Sequence, residues 1–298
     1  MQALWMLLAA ALLASMSVCV KFASAYFHAS ELVFFRGLIS LVFMAAYARF
    51  TGLSLRTEIP AMHCWRSIVG VTSLGAWFYA IGQLPLATAM TLNYMSSVWI
   101  AAFMIGGSLV GTLTGRSQDS RRQGPLVLAV LAGFLGVVMM LRPTIEQNQL
   151  FAGLVGLISG FFAAFAYMQV MALGRTGEPV ARIVFYFALG TTLAGLLGMS
   201  VTGVSPWDWG HAIWLLPMGV LASLGQACLT RAFSRGSTLV VANLQYAGIV
   251  FAALYGMLLF EEQLPTIGWM GMWLIIASGV ASTVLRTRAI PDSPAEEH

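Results

Sequence analysis

Residues 80–94 read AIGQLPLATAMTLNY. Two apolar runs meet at Leu84-Pro85, a pair that separates helices because proline brings no N–H to a helix interior. Residues 232–246 read AFSRGSTLVVANLQY, an offset of 152 (232 against 80). At that offset Ala80/Ala232, Leu92/Leu244, Tyr94/Tyr246, Val98/Val250 and Ala101/Ala253 are identical, and amide meets amide at Asn93 and Gln245. Upstream, the Gly70–Gly75 stretch matches Gly219–Gly225 after a one-residue gap. Faint internal likeness of this kind accompanies duplicated membrane folds.

Composition sets the solvent. Of 298 residues, 59% are hydrophobic and 9% charged, with a mean hydropathy of +0.84. An ordinary soluble domain carries roughly a quarter charged residues, so the chain reads as an all-α polytopic membrane protein. Its net charge of +4 suits loops facing an anionic bilayer surface rather than nucleic acid. One lysine and no basic run longer than Arg121-Arg122 leave no nucleic-acid footprint. Cys19, Cys64 and Cys228 lack metal spacing and read as packing residues.

Ten apolar segments approach the ~20 residues needed to cross a bilayer: 3–22, 31–49, 66–83, 86–110, 125–141, 150–172, 182–202, 212–232, 237–259 and 266–285. The first imitates a signal peptide but lacks a positive leading region, and it is read as a retained span. With the amino terminus cytoplasmic, twelve of the 15 basic residues fall on the cytoplasmic side; Lys21, Arg36 and Arg142 do not. Ten spans place both termini inside, in a cell inner membrane. Five spans per half is an odd number, so residues 1–145 and 146–286 form two inverted five-helix repeats, followed by a disordered tail at 287–298. Asn93 then lies seven residues into span 4 and Gln245 eight into span 9. At 1.5 Å per residue both sit about 10–12 Å deep, approaching the midplane from opposite sides.

Three stretches carry a family likeness: Phe34-Phe35-Arg36-Gly37, the Ala-x-Gly-x-Leu-Pro-Leu-Ala-x-Ala turn at 80–89, and Leu259-Phe260-Glu261-Glu262-Gln263-Leu264-Pro265 before a glycine-rich last helix. In these and in its ten-span plan the chain resembles the drug/metabolite transporter superfamily, EamA-type branch. The resemblance implies a secondary transporter of small metabolites working by alternating access, with spans 3, 4, 8 and 9 around a central cavity.

The candidate site residues each have more than one reading. Arg36 is the one basic residue expected well inside a span. It holds an anionic or zwitterionic substrate through its planar fork, or it is structural, snorkelling outward or satisfied by a carbonyl or an acid such as Glu31, or it serves in gating. Glu31 is five positions away, about 140° around the helix, and so is a poor intrahelical partner. Lys21, at a span end, is expected to snorkel. Asn93, Tyr94, Gln245 and Tyr246 are site candidates by their place in the repeat. Trp77, Tyr79 and Tyr167 are ligand contacts or packing, and Trp77 and Tyr79 cannot share a helix face. Gln226 contacts substrate or joins helices. The glycines read as close helix packing within a monomer, with a homodimer as the alternative.

Carboxylates are absent from the expected span interiors, which favours exchange or facilitated diffusion over an acidic proton relay. No HExxH, paired acids or Ser/His set is present, so neither an enzyme nor a metal or other cofactor is expected. A membrane sensor would ordinarily add a soluble domain. The expected substrate is an amino acid, organic anion or zwitterion, with a ring-bearing vitamin or nucleotide-like metabolite as the alternative.

Overall fold

Proline and glycine punctuate the helices. Gly52 closes one helix at φ 67°, a left-handed conformation that a Cβ disfavours. Pro60 occupies the first turn of the next helix, where its missing N–H costs nothing. Pro85 and Pro179 precede two others. The computed structural model describes residues 2–96, 98–100, 102, 103, 106, 124–146, 149–234 and 244–289. Its helices are α1 (Gln2–Ala23), α2 (Ala29–Thr51), α3 (Pro60–Gln83), α4 (Leu86–Tyr94), α5 (Gly124–Glu146), α6 (Leu150–Arg175), α7 (Val180–Thr202), α8 (Trp209–Ala212), α9 (Leu215–Ser234), α10 (Ala247–Leu259) and α11 (Thr266–Ala289). Five described stretches are long and apolar enough to cross a membrane: Leu4–Ala23, Ala29–Thr51, Leu150–Arg175, Val180–Thr202 and Trp209–Phe233. The segments Val127–Met139, Ala247–Leu259 and Thr266–Ala281 are shorter apolar helices.

Helix α5 runs to Glu146, five residues past its expected end at 141, and α9 begins at Leu215, three residues after 212. Three further differences follow. First, α3 begins at Pro60, six residues before the expected span, which moves Arg66 from a helix end into the second turn. Second, α11 runs to Ala289, three residues into the stretch expected to be a disordered tail, because a helix adds hydrogen bonds past its last apolar residue. Third, the expected span 86–110 is interrupted. Helix α4 stops at Tyr94, Met95 forms a turn, and helical residues resume at Ser96. The Met95 N–H donates to the carbonyl of Leu92 at 3.3 Å, and the N–H groups of Val98 and Trp99 to that of Met95 at 2.9 and 3.0 Å. A matching turn at Gln245 and Tyr246 precedes α10. The loop at 114–123, residues 235–243 of the repeat and the chain beyond Ala289 lie outside the described residues.

Helix α4 is buried along its whole length, which makes it the centre of the bundle. The most extensive pairs are α1 with α9, α2 with α7, α3 with α6 and α5 with α11, while α4 packs on both α6 and α10 and α10 on both α1 and α4. Close approach comes from missing side chains. A Cβ on Gly37 of α2 would lie 2.6 Å from the backbone nitrogen of Thr192 on α7. Gly195 presses its backbone against Phe34 in the same interface. Overpacking a tight contact costs about 1–3 kcal/mol. Gly37→Ala should therefore lower the thermal midpoint of the detergent-solubilised protein. Gly75→Ala, where nothing lies within 4 Å of the added carbon, should not. A midpoint unmoved by Gly37→Ala would show that this interface is loose.

Candidate functional site

A cavity of about 60 Å³ opens where α1, α2, α3, α4, α6, α7 and α9 converge. Six of the nine candidate residues line it: Arg36, Trp77, Asn93, Tyr94, Tyr167 and Gln226. The other three lie elsewhere. Tyr79, two residues and about 200° around α3 from Trp77, points outward and sets its ring against Phe151 at 6.0 Å. Gln245 and Tyr246 are buried in the turn before α10, and the Tyr246 hydroxyl lies over Gly279 of α11. Both amides lie at helix breaks, but of the two Asn93 is the one among the described residues lining the cavity.

Several lining groups are held by specific contacts. The Asn93 amide nitrogen donates to the Ser159 hydroxyl at 3.0 Å, and the Ser73 hydroxyl to the Ser159 carbonyl at 2.8 Å, joining α3, α4 and α6. The Tyr167 ring stacks on Phe233 at 5.4 Å. Tyr94 lies against Gly248 of α10.

The cavity holds a second arginine that the sequence reading places at a helix end. Arg66 is 4% exposed and Arg36 3%. Their guanidinium carbons stand 4.1 and 5.4 Å from the centroid of the Phe187 ring. A cation over an aromatic face gains electrostatic attraction, more so where water is excluded. Gly70, one turn beyond Arg66, leaves the room: a Cβ there would collide with Arg66 Nη1 and lie 2.9 Å from the Phe187 ring. Arg66 thus runs along α3 toward the middle of the bundle. Pro60, a residue favoured in the first helical turn, was the sequence signal that α3 begins early enough to bury it.

Among the described residues neither guanidinium has a carboxylate partner. Arg36 Nε, Arg66 Nε and Arg66 Nη1 are buried without a hydrogen-bond acceptor. Glu31 is committed elsewhere: it accepts from the His28 N–H at 2.8 Å and from the Ser205 N–H and hydroxyl at 3.0 and 2.7 Å. No carboxylate is among the described residues lining the cavity. On insertion scales an arginine at helix centre costs about 2.5–3.5 kcal/mol, so two of them are retained against a standing penalty.

Charges near the ends of the bundle, in contrast, are satisfied. At one end Lys21 does not snorkel. It pairs with Glu262 and donates to the Leu84 carbonyl at 2.7 Å, while Leu86 N–H donates to the other Glu262 oxygen at 2.7 Å. The pair thus ties the end of α1 and the α3–α4 turn to the segment after α10. At the opposite end Glu178 accepts from the Thr57 hydroxyl at 2.6 Å and from Arg182 at 2.8 Å, with His63 Nε2 at 3.5 Å. Arg182 also donates to the Ser54 carbonyl at 2.9 Å, and the Tyr186 hydroxyl to that of Leu55 at 3.0 Å. Burial pushes the Glu178 carboxyl up, but its bonds from Thr57 and Arg182 and the charges of Arg182 and His63 outweigh it and hold the group below the usual range. Among the described residues no three His, Cys, Asp or Glu side chains converge as a metal site.

The pseudopaline exporter CntI of Pseudomonas aeruginosa is 34% identical over 269 residues, which cover 89% of this chain and 90% of the exporter. The chain belongs to that exporter's family of membrane transporters. Within this transporter family, a riboflavin transporter of Vibrio cholerae is 25% identical over 96% of this chain and 94% of its own. An S-adenosylmethionine uptake transporter of Rickettsia conorii is 21% identical over 87% and 84%. A solved crystal structure superposes with a TM-score of 0.65 at 18% identity, covering 97% of this chain and 98% of its own, and so shares the fold. No family profile matches the chain. The protein is a multi-pass membrane transporter of small metabolites, as its relatives are.

Because the Glu178 carboxyl is held below its unfolded value of 4.5, its stabilising contribution is present above that value and is lost as pH falls through the lower folded one. Glu178→Gln should therefore lower the thermal midpoint at pH 7, and the difference from the parent should shrink below about pH 4.5. A gap that stays constant across that range would remove the charge from the explanation.

Proposed function

We propose that this transporter is a secondary carrier of the drug/metabolite transporter superfamily, EamA type, which moves a small anionic or zwitterionic metabolite through the Arg36–Arg66 cavity by alternating access. The observation that carries the reading is a pair of buried guanidinium groups with no acid to meet them. A substrate carboxylate answers both the charge and the fork geometry. The neutral lining groups Asn93, Gln226 and Tyr167 then orient the remainder. With no acid in the described lining to relay protons, exchange or facilitated diffusion is the transport mode.

The architecture proposed is ten spans in two inverted halves, 1–145 and 146–286, with both termini cytoplasmic in a cell inner membrane. Helix packing supports it. Exchanging α1–α5 with α6, α7, α9, α10 and α11 in order turns the α1–α9 pair into α6–α3, the corresponding close pair. It leaves α2–α7, α4–α10 and α5–α11 unchanged. The helix breaks at Met95 and at Gln245–Tyr246 fall at corresponding places, and interrupted helices at a repeat interface are where carriers bind substrate. In this orientation the Lys21–Glu262 tie closes the outer end and the Glu178–Arg182 tie the cytoplasmic end.

A second reading, a ring-bearing substrate, is favoured by Trp77, Tyr94 and Tyr167 in the lining and by the relative named a riboflavin transporter. Purified protein in liposomes separates the two. Labelled organic anions and acidic amino acids should accumulate or exchange, and Arg36→Ala should reduce that flux by roughly tenfold or more while the protein stays folded. If flux of a neutral ring compound dominates and Arg36→Ala leaves it intact, the ring reading replaces the anion reading. Ligand binding with no flux under any gradient would end the transporter proposal for this site.

A further inference from the structure

We infer that the cavity selects a substrate with two anionic groups, one held by Arg36 and the other by Arg66. The inference rests on the transporter reading above and narrows its substrate class to dicarboxylates, amino acids carrying two carboxylates, or molecules joining a carboxylate to a phosphate.

The two arginines come from different helices, α2 and α3, and reach one cavity. Both guanidinium groups lie over the same ring, Phe187. Their separation is therefore no greater than those two short distances laid end to end, within the span of a small metabolite. Each is a planar fork suited to paired hydrogen bonds with carboxylate or phosphate. Their unmet nitrogens, Arg36 Nε and Arg66 Nε and Nη1, are acceptor-seeking groups already desolvated.

Selectivity follows from what a single negative charge leaves behind. A monoanion satisfies one guanidinium and leaves the other buried and unmet, and a site rejects an analogue most strongly when its own buried polar groups are left unpaired. A dianion leaves neither. The remaining polar lining, Ser73, Asn93 and Gln226, is neutral and offers no acid to repel the second charge. Phe187 and Gly70 hold the arrangement in place, the first by stacking under both cations and the second by leaving space for Arg66.

The test is competition on the full-length protein, read both as thermal stabilisation in detergent and as inhibition of flux in liposomes. The probes are propionate, succinate, glutarate, aspartate and inorganic phosphate. In the parent, at least one two-headed acid should act at roughly tenfold lower concentration than propionate. Arg66→Gln should bring that acid to the potency of propionate, and Arg36→Gln should do the same. Arg66→Lys, which keeps the charge without the fork, should fall between. If Arg66→Gln does not fold, the Arg66→Lys series decides, with a reduced preference expected. Equal potency of one- and two-headed acids in the parent overturns the proposal, as does a preference that survives either glutamine variant. Inorganic phosphate acting while no two-headed acid does would also overturn it, because one small dianion would then bridge both arginines. Thermal stabilisation does not require transport. A two-headed preference in binding with no flux would therefore sink the carrier reading alone, and flux of organic anions without that preference would sink this inference alone.

Discussion

Two guanidinium groups buried over one phenylalanine ring, with no carboxylate beside them among the described residues, are the constraint around which the bundle is arranged. A charge out of water is tolerated when something polar or polarisable stands close. Here that something is the face of Phe187, and access to it requires space. Gly70 supplies the space on α3. Gly37 and Gly195 bring α2 close to α7, so that Arg36 and Phe187 share one level of the bundle.

Polar chemistry is distributed unevenly along the bundle. Toward the ends, Lys21 is paired with Glu262 and Arg182 with Glu178, and Glu31 is bonded to Ser205 and the amino-terminal turn of α2. In the middle, Arg36 and Arg66 have no acid beside them among the described residues. The end ties also join segments from both halves of the chain, and under the proposed topology they are the contacts that must break in turn for the cavity to open to either side. The relatives named for export and for uptake both align along most of this chain, so direction does not follow from that likeness.

Much of the helical layout was legible in the sequence. Apolar runs of membrane-spanning length, with proline and glycine between them, are dictated by a solvent that cannot hydrogen-bond the backbone. Arg36 stood out because charge is so expensive there. Arg66 did not, because the sequence pattern starts counting a span at the last charge and so assigns a boundary arginine to the water. The helix that extends back to Pro60 buries it instead. Tyr79 and Tyr246, candidates by the same reading, lie away from this cavity. Aromatic residues are spread over several faces of the helices, and spacing alone separates Trp77 from Tyr79 without saying which of them turns inward.

The sequence by itself determined that the chain is a membrane-embedded helical protein, where most of its helices start and stop, and that a lone arginine in an apolar run needs a partner. Those properties depend on transfer from water to lipid and on local backbone chemistry, which are functions of neighbouring residues. Only the tertiary structure decided that the partner is not Glu31, that a second arginine arrives from α3, and that both lie over Phe187. These depend on which helices touch and at what distance, a matter of glycine-to-backbone contacts between residues more than a hundred positions apart, as between Gly37 and Thr192.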